Sequence, residues 1–567
     1  MALGILEPRV EHVPGTVYVY AAEQRQAELL RSAQHLKKDK TGRIILNPQP
    51  SADPNDPLNW PLWQRDSILA ILCFVSCVAT TASPLLAADS VTLAIVFRRT
   101  FQDAALLTAY HLVGVGVAGW LFVASARVWG KRHLFLFGGL LMVASSAWGG
   151  STHKNLNYAS LLWSRVMQGV ALAPFEALVN ACVGDLYFVH ERGIRMAITN
   201  TCLFGGAFLT PVFVGMMATD IGWQWSFYIL AIIMSAGFLL VFFFVPETAY
   251  RRDHSLDLDL LSSDSQEAIR PLQSSETENR EENPGENTEE GAEEMTEEKT
   301  VRTRTTADGT KVAPKATFVQ RLMPFNGRKT DESFFKLLLR PFPLFFHPAV
   351  LWACLLQGVI IGWTVMVGVI LSLIFLGPPL FFNEKKAGYM YTAAFIGSVL
   401  GLLFSGIYSE LVTKYMIRRN KGKYEPEFRI LLVIPTMITS AIGLYGFGIT
   451  AGDVARYGWI VPEVFLAFII VSMVMGAIAS AQYLLDAHRE IAVEAFTNLI
   501  IFKNMFSFIL AYYAYDWVFA IRIRHLFIIF GSIEVAICAL SIPMYVFGKK
   551  NRAFFHRHDL LKMTKLR

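Results

Sequence analysis

WSFYILAIIMSAGFLLVFFFV, running from Trp225 to Val245, contains no charged residue and no alternation of polar with apolar positions. A hydrocarbon core about 30 Å thick is crossed by roughly 20 apolar residues in a helix, and this run has that length. In lipid the backbone polar groups are satisfied only within a helix or a closed barrel. Continuous apolar character selects the helix.

Working outward, runs of the same kind precede it at Ser67 to Asp89, Leu106 to Arg127, His133 to Gly149, Tyr158 to Cys182 and Ile198 to Ala218. Six more follow at Ala349 to Leu376, Gly388 to Leu411, Ile430 to Ile449, Trp459 to Asp486, Glu494 to Trp517 and His525 to Phe547, the first of these leaving a partly re-entrant course open. The reading is an all-α polytopic membrane protein of 12 transmembrane helices in two six-helix bundles. Composition agrees: of 567 residues, 53% are hydrophobic, 13% aromatic and only 17% charged. A soluble chain would have to hide every run in one core, which is not feasible at this length.

The charges define the organisation. Residues 1–66 form a polar N-terminal segment without a secretory signal pattern. Residues 67–250 and 346–548 are the bundles, 251–345 an expected disordered acidic linker, and 549–567 a tail. Within the linker, Ser274 to Glu298 is dominated by Glu with Thr, Asn, Gly and Pro, which cannot build a core; a solvated spacer is the plain reading and regulation the alternative. Basic loops at Lys131 and Arg132, Arg192 and Arg195, Lys414 to Lys423, and Lys549 to Arg552 all fall on the side of both termini and the linker. That bias places both ends in the cytosol. The net charge of +5 sums basic loops and an acidic linker, so it argues for no nucleic-acid partner.

Ionisable residues inside spanning helices are costly and therefore functional candidates. On the fourth helix, Arg165, Gln168, Glu176 and Asn180 fall on one polar stripe, since Glu176 returns to within roughly 20° of Arg165 at about 100° per residue. Glu176 is a proton-binding candidate. Arg165 and Gln168 serve coupling or tie helices together, and both readings stand. His111 is a proton-relay candidate, with a satisfied neutral imidazole as the plainer reading. In the second half, Gln357, Asp486, Glu494, Lys503, Asn504 and Glu534 interrupt apolar runs, and Glu494 shares a face with Asn498. Asp486 and Glu494 fall near helix ends, where gating or structure is favoured over substrate contact. Gly205, Gly206 and Pro211 interrupt the fifth helix, as Gly377, Pro378 and Pro379 interrupt the end of the seventh. Trp60, Trp63, Trp223, Trp225 and Trp459 flank the runs as expected interfacial anchors.

All six cysteines lie inside apolar runs with neither metal-like spacing nor a paired framework. No phosphate-cradling loop, nucleophile elbow or His metal cluster is present in the sequence, so no enzyme activity, cofactor or metal is expected. An ion gradient is the remaining driving force.

Arg165-Val-Met-Gln168-Gly169 resembles the Arg-x-x-Gln-Gly motif on the fourth helix of major facilitator proton antiporters. Gly119 to Arg132, closing on Gly130-Lys131-Arg132, resembles that family's loop between the second and third helices, with Arg127 where most members carry Asp. Gly206 to Gly215 around Pro211 resembles the antiporter motif, with Thr210 and Val214 where Gly is typical. A fungal twelve-spanner branch of drug:proton antiporters, which includes yeast polyamine and cation transporters, is resembled in several loop segments. These are Asp53 to Trp60, Tyr187 to Gly193, Val245-Pro-Glu-Thr248, Arg418 to Gly422, Tyr424 to Arg429, and Pro543 to Arg552.

The resemblance implies a proton-coupled carrier for an organic small molecule, with Arg165 in coupling and Gly169, Gly206, Pro211, Gly130, Lys131 and Arg132 in the conformational change. Export of a drug-like compound or fungal secondary metabolite is the first expectation. Uptake of a polyamine, organic cation or organic acid is the second, and a receptor without turnover the third. The chain is expected to be monomeric in a lipid bilayer, in the plasma membrane or otherwise a vacuolar or peroxisomal one.

Overall fold

The structure is a computed structural model, and it describes residues 3–8, 13, 15–18, 46, 48–51, 53–251, 304–305, 311–312, 315–488 and 491–566. Among the described residues, 12 helices are long and apolar enough to cross a membrane. The first half contributes Leu62–Thr80, Phe101–Trp129, Arg132–Ser151, Tyr158–Leu186, Val189–Asp220 and Gln224–Phe244. The second contributes Pro348–Leu376, Thr392–Arg419, Val433–Ala451, Ile460–Ala487, Ala492–Ile521 and Ile523–Ala539.

Local chemistry sets several of these ends. Thr100 and Asp103 form a reciprocal capping box at the start of the second helix, and Gly130, at φ 90°, ends it. His347 caps the seventh helix, where Pro348 occupies the first turn without losing a needed N–H. Pro211 sits inside the fifth helix without ending it.

The expected first span, Ser67 to Asp89, is corrected: the helix stops at Thr80, and the chain turns before the short helix Ser90–Val96. Pro84 supplies no backbone donor to continue it. The seventh helix is one continuous rod through Leu376, so the re-entrant alternative falls. The expected tail is also more regular, because the twelfth helix resumes as Ser541–Arg557. Trp63, Trp225 and Trp459 are exposed as anchors require, whereas Trp60 and Trp223 are buried and are not anchors.

The acidic run Ser274 to Glu298 lies outside the described residues. The C-terminal part of the expected linker is ordered: Phe318–Leu322, Phe334–Leu339 and Pro341–Leu344 are helical. Leu337 fills an apolar pocket between Ala124 and Val128 of the second helix, and Trp120 Nε1 donates to the Leu338 carbonyl at 2.8 Å. Near the chain start, Val17–Tyr18 pairs antiparallel with Lys423–Tyr424 of the second half. The face carrying these segments is called the linker face below, and the opposite one the far face.

The halves touch in two ways. The second helix packs along the eleventh, with Phe101 against Tyr515 at 6.0 Å and Tyr110 against Phe508 at 5.7 Å between ring centroids. The fifth meets the segment before the eighth at the far face, where a Cβ on Gly215 would lie 2.4 Å from the Glu384 carbonyl. Only glycine permits that approach. Ala105, Ala109 and Val212 of the first half are buried within the second half's core there. Toward the linker face the halves keep separate cores.

Candidate functional site

Arg165 is fully buried two turns into the fourth helix. Its guanidinium donates to the carbonyls of Ala82 at 2.7 Å, Ser83 at 3.1 Å and Leu107 at 3.4 Å, and to Gln168 Oε1 at 2.7 Å. Gln168 Nε2 donates to Ser146 Oγ at 2.9 Å. His111 joins the same knot, 3.1 Å from Ser83 Oγ and 3.2 Å from the Arg165 carbonyl. A planar fork of donors suits this task, because the turn after the first helix exposes carbonyls that no helix satisfies. The partners are all neutral. A Cβ on Gly169 would sit 2.0 Å from the His111 carbonyl, so the glycine after Gln168 lets the second and fourth helices close on the knot.

The stripe expected on the fourth helix divides. Glu176 stands about 16 Å beyond Arg165 along the axis at about 1.5 Å per residue. Its partner is instead Lys503 on the eleventh helix, with which it forms an ion pair between the two halves. Both side chains are partly buried, with 21% and 17% of their surface exposed. Asn180 Nδ2 donates to Asn200 Oδ1 of the fifth helix at 3.0 Å. Across the bundle, Ser480 Oγ donates to Gln357 Oε1 at 3.1 Å. Asn504 turns its amide back to the Ile500 carbonyl at 3.0 Å beside the close approach of Gly116.

Nearer the linker face, Glu494 pairs with Arg127 of the second helix and lies 3.7 Å from Arg340. Arg340 also holds Glu332 at 2.6 Å, and Asn498 Nδ2 donates to the Pro341 carbonyl at 2.7 Å. Glu494 thus belongs to a latch between halves. Asp486 does not: it accepts from Tyr424 and Arg429 within its own half.

The Gly130-Lys131-Arg132 loop cradles Glu247 of the Val245-Pro-Glu-Thr segment. Lys131 N and Arg132 N donate to the two Glu247 oxygens at 2.9 and 3.0 Å, where a Cβ on Gly130 would clash. Lys131 Nζ lies 2.5 Å from Asp185 Oδ2. Burial pulls the Lys131 ammonium down, yet Asp185, Cys182 and Glu247 outweigh it and leave its pKa raised.

In the sequence Lys503 is one polar interruption of the eleventh helix among several, and Arg127 stands out only as a departure from the family loop. The signal in both cases was charge complementarity between distant helices, which becomes readable only once the second and eleventh are known to face each other.

The family model described as Major Facilitator Superfamily matches residues 67–489. An uncharacterized MFS-type transporter of Schizosaccharomyces pombe is 26% identical over 556 residues, 96% of this chain and 93% of its own length. Protein HOL1 of Saccharomyces cerevisiae is 24% identical, covering 96% of each chain, and the MFS transporter cpaT of Aspergillus oryzae 22%, covering 88% and 90%. Among solved structures, the proton:xylose symporter XylE aligns with a TM-score of 0.55 at 12% identity, over 86% of this chain and 96% of that one.

Proposed function

The chain belongs to the major facilitator superfamily and is a membrane transporter, and from that premise we propose that it couples proton movement to the transport of an organic small molecule by alternating access. The carrying observation is the Glu176–Lys503 ion pair, which joins the halves near the middle of the bundle. Protonating Glu176 leaves Lys503 unpaired in a partly dry site, at a cost of about 1–3 kcal/mol. That cost biases the halves toward a state in which Lys503 reaches water or substrate. A ligand that pairs with either group has the same effect, so proton and substrate act on one two-state element. The knot that Arg165 makes with its neutral partners is the fixed reference against which the pair moves. Gly169 and Pro211, with Gly206, where a Cβ would lie 2.4 Å from the Cys77 carbonyl, give the close but unbonded surfaces that sliding helices need.

The linker face is assigned to the cytosol by its basic loops. Export of a drug-like compound or secondary metabolite is the assigned activity, supported by the similarity to fungal MFS transporters, and the plasma membrane is the assigned location. A pH jump across proteoliposomes of known orientation, with a panel of radiolabelled metabolites, tests this. Proton-driven efflux from the linker side supports the reading. Movement in the opposite direction makes the protein an uptake carrier, and absence of any flux across the panel counts for a receptor.

A further inference from the structure

Two carboxyl groups are buried with neither oxygen hydrogen-bonded among the described residues, Asp89 and Glu463. Asp89 has no exposed surface and precedes the short helix Ser90–Val96 without capping it. It lies where the far-face seam is tightest. Ser90 Oγ and Ser372 Oγ share a hydrogen bond of 2.5 Å between the halves, and Thr92 Oγ1 donates to Glu384 Oε1 at 2.5 Å.

The groups facing Asp89 offer it no cation. From the second half come Glu384, near enough to repel it, and Tyr391, which feels both Asp89 and Glu463. The Tyr391 hydroxyl is engaged with the Gly368 carbonyl at 2.7 Å. Tyr515 of the eleventh helix approaches Ser90 and Ser372. Lys385 lies at the more exposed rim, 3.8 Å from Asp220. An ionised carboxylate in this seam, beside a second acid and without donors, carries a large desolvation penalty. A neutral carboxyl does not.

We propose that Asp89 is a proton-binding site of the far-face gate, taking up a proton for the seam to shut and releasing it when the seam opens to water. This site is separate from Glu176 and rests on the alternating-access reading only in requiring that the seam open. The closed seam raises the Asp89 pKa above its solvated value. Its contribution to closure is complete at pH below the solvated pKa and is lost as pH rises through the closed-state pKa.

The test is hydrogen exchange of the full-length protein in lipid nanodiscs from pH 5 to pH 8, corrected for intrinsic rates and read on peptides covering Ser90–Val96 and Glu384–Met390. In the wild type, exchange slows as pH falls, by up to about tenfold per pH unit for one linked proton. Asp89→Asn, nearly isosteric with the protonated acid, is expected to be slow and flat with pH. Asp89→Glu keeps a slope, which separates loss of the titrating group from misfolding. Lys414→Ala, at an exposed ion pair away from both seams, keeps the wild-type rates and slope. An Asp89→Asn protein with the wild-type slope overturns the assignment, while a wild-type seam that stays closed at every pH overturns the alternating-access reading beneath it.

Discussion

The far seam sets close apolar packing around a small polar patch at Asp89, Ser90 and Ser372, whereas the linker seam is held by charged side chains in reach of solvent. At the far face Ala105, Ala109 and Val212 are buried in the second half's core, and Gly215 meets the Glu384 backbone. At the linker face the cores stay apart, and charged contacts cross there, Arg127 of the first half and Arg340 of the linker both meeting Glu494. An apolar seam is tight, insensitive to salt and intolerant of added volume. A charged seam in reach of solvent is weakened by salt, because screening reduces its attraction. The Glu176–Lys503 pair stands between them.

The sharpest way to break the far seam is to add volume. Gly215→Leu must push the Glu384 backbone away, so the gate cannot close and substrate flux falls by about a hundredfold or more, while the helix itself still forms. Flux in proteoliposomes together with exchange at Ser90–Val96 checks this; normal flux contradicts the seam's description. Glu494→Gln at the linker seam acts more gently. Arg127 is 36% exposed, so solvent screening holds its share to about 1 kcal/mol, or roughly a fivefold change in flux. Exchanging the charges, Arg127→Glu with Glu494→Arg, should recover part of the loss in a double-mutant cycle.

A third test sharpens the contrast through pH. On the linker face, burial pushes His347 down to about 4 from 6.5, and His488, 4.6 Å away between ring centroids, is lowered well below its ordinary value by burial and then by His347. With the folded pKa depressed, the stabilising contribution is whole above 6.5 and is lost as pH falls toward 4. Thermal stability of the purified protein should drop across that window. His347→Asn, which keeps a capping acceptor, should flatten the drop. The smallest effect is expected at Glu410 and Lys414, an ion pair more than 60% exposed on both sides, so Lys414→Ala should leave flux and melting temperature unchanged.

The helix count and the two halves were legible because each crossing needs a long uncharged run, and such runs can be read locally. Arg165 and Gln168 were legible for the same reason, as polar residues where lipid or core would reject them. The break after Thr80 was hidden because the apolar character of residues 81–88 continues past the helix end. The ordered segment from 315 to 345 was concealed by the charged composition around it. Its anchors, Leu337 and Arg340, acquire meaning only against the second helix and Glu494. The Glu176–Lys503 pair was beyond helical periodicity altogether, since periodicity reports which residues share a face and not which helix that face meets. The expected stripe therefore divides, Arg165 and Gln168 bonding within the first half and Glu176 reaching across to Lys503.

In the proposed coupling, proton and substrate both act on the Glu176–Lys503 pair. Its most direct measurement is proton-driven flux in proteoliposomes for Glu176→Gln beside the wild type, with the metabolite panel and a set pH gradient. The variant is expected to fold and to lose dependence on the pH gradient, retaining at most gradient-independent exchange. Full flux with an unchanged response to the gradient would contradict it.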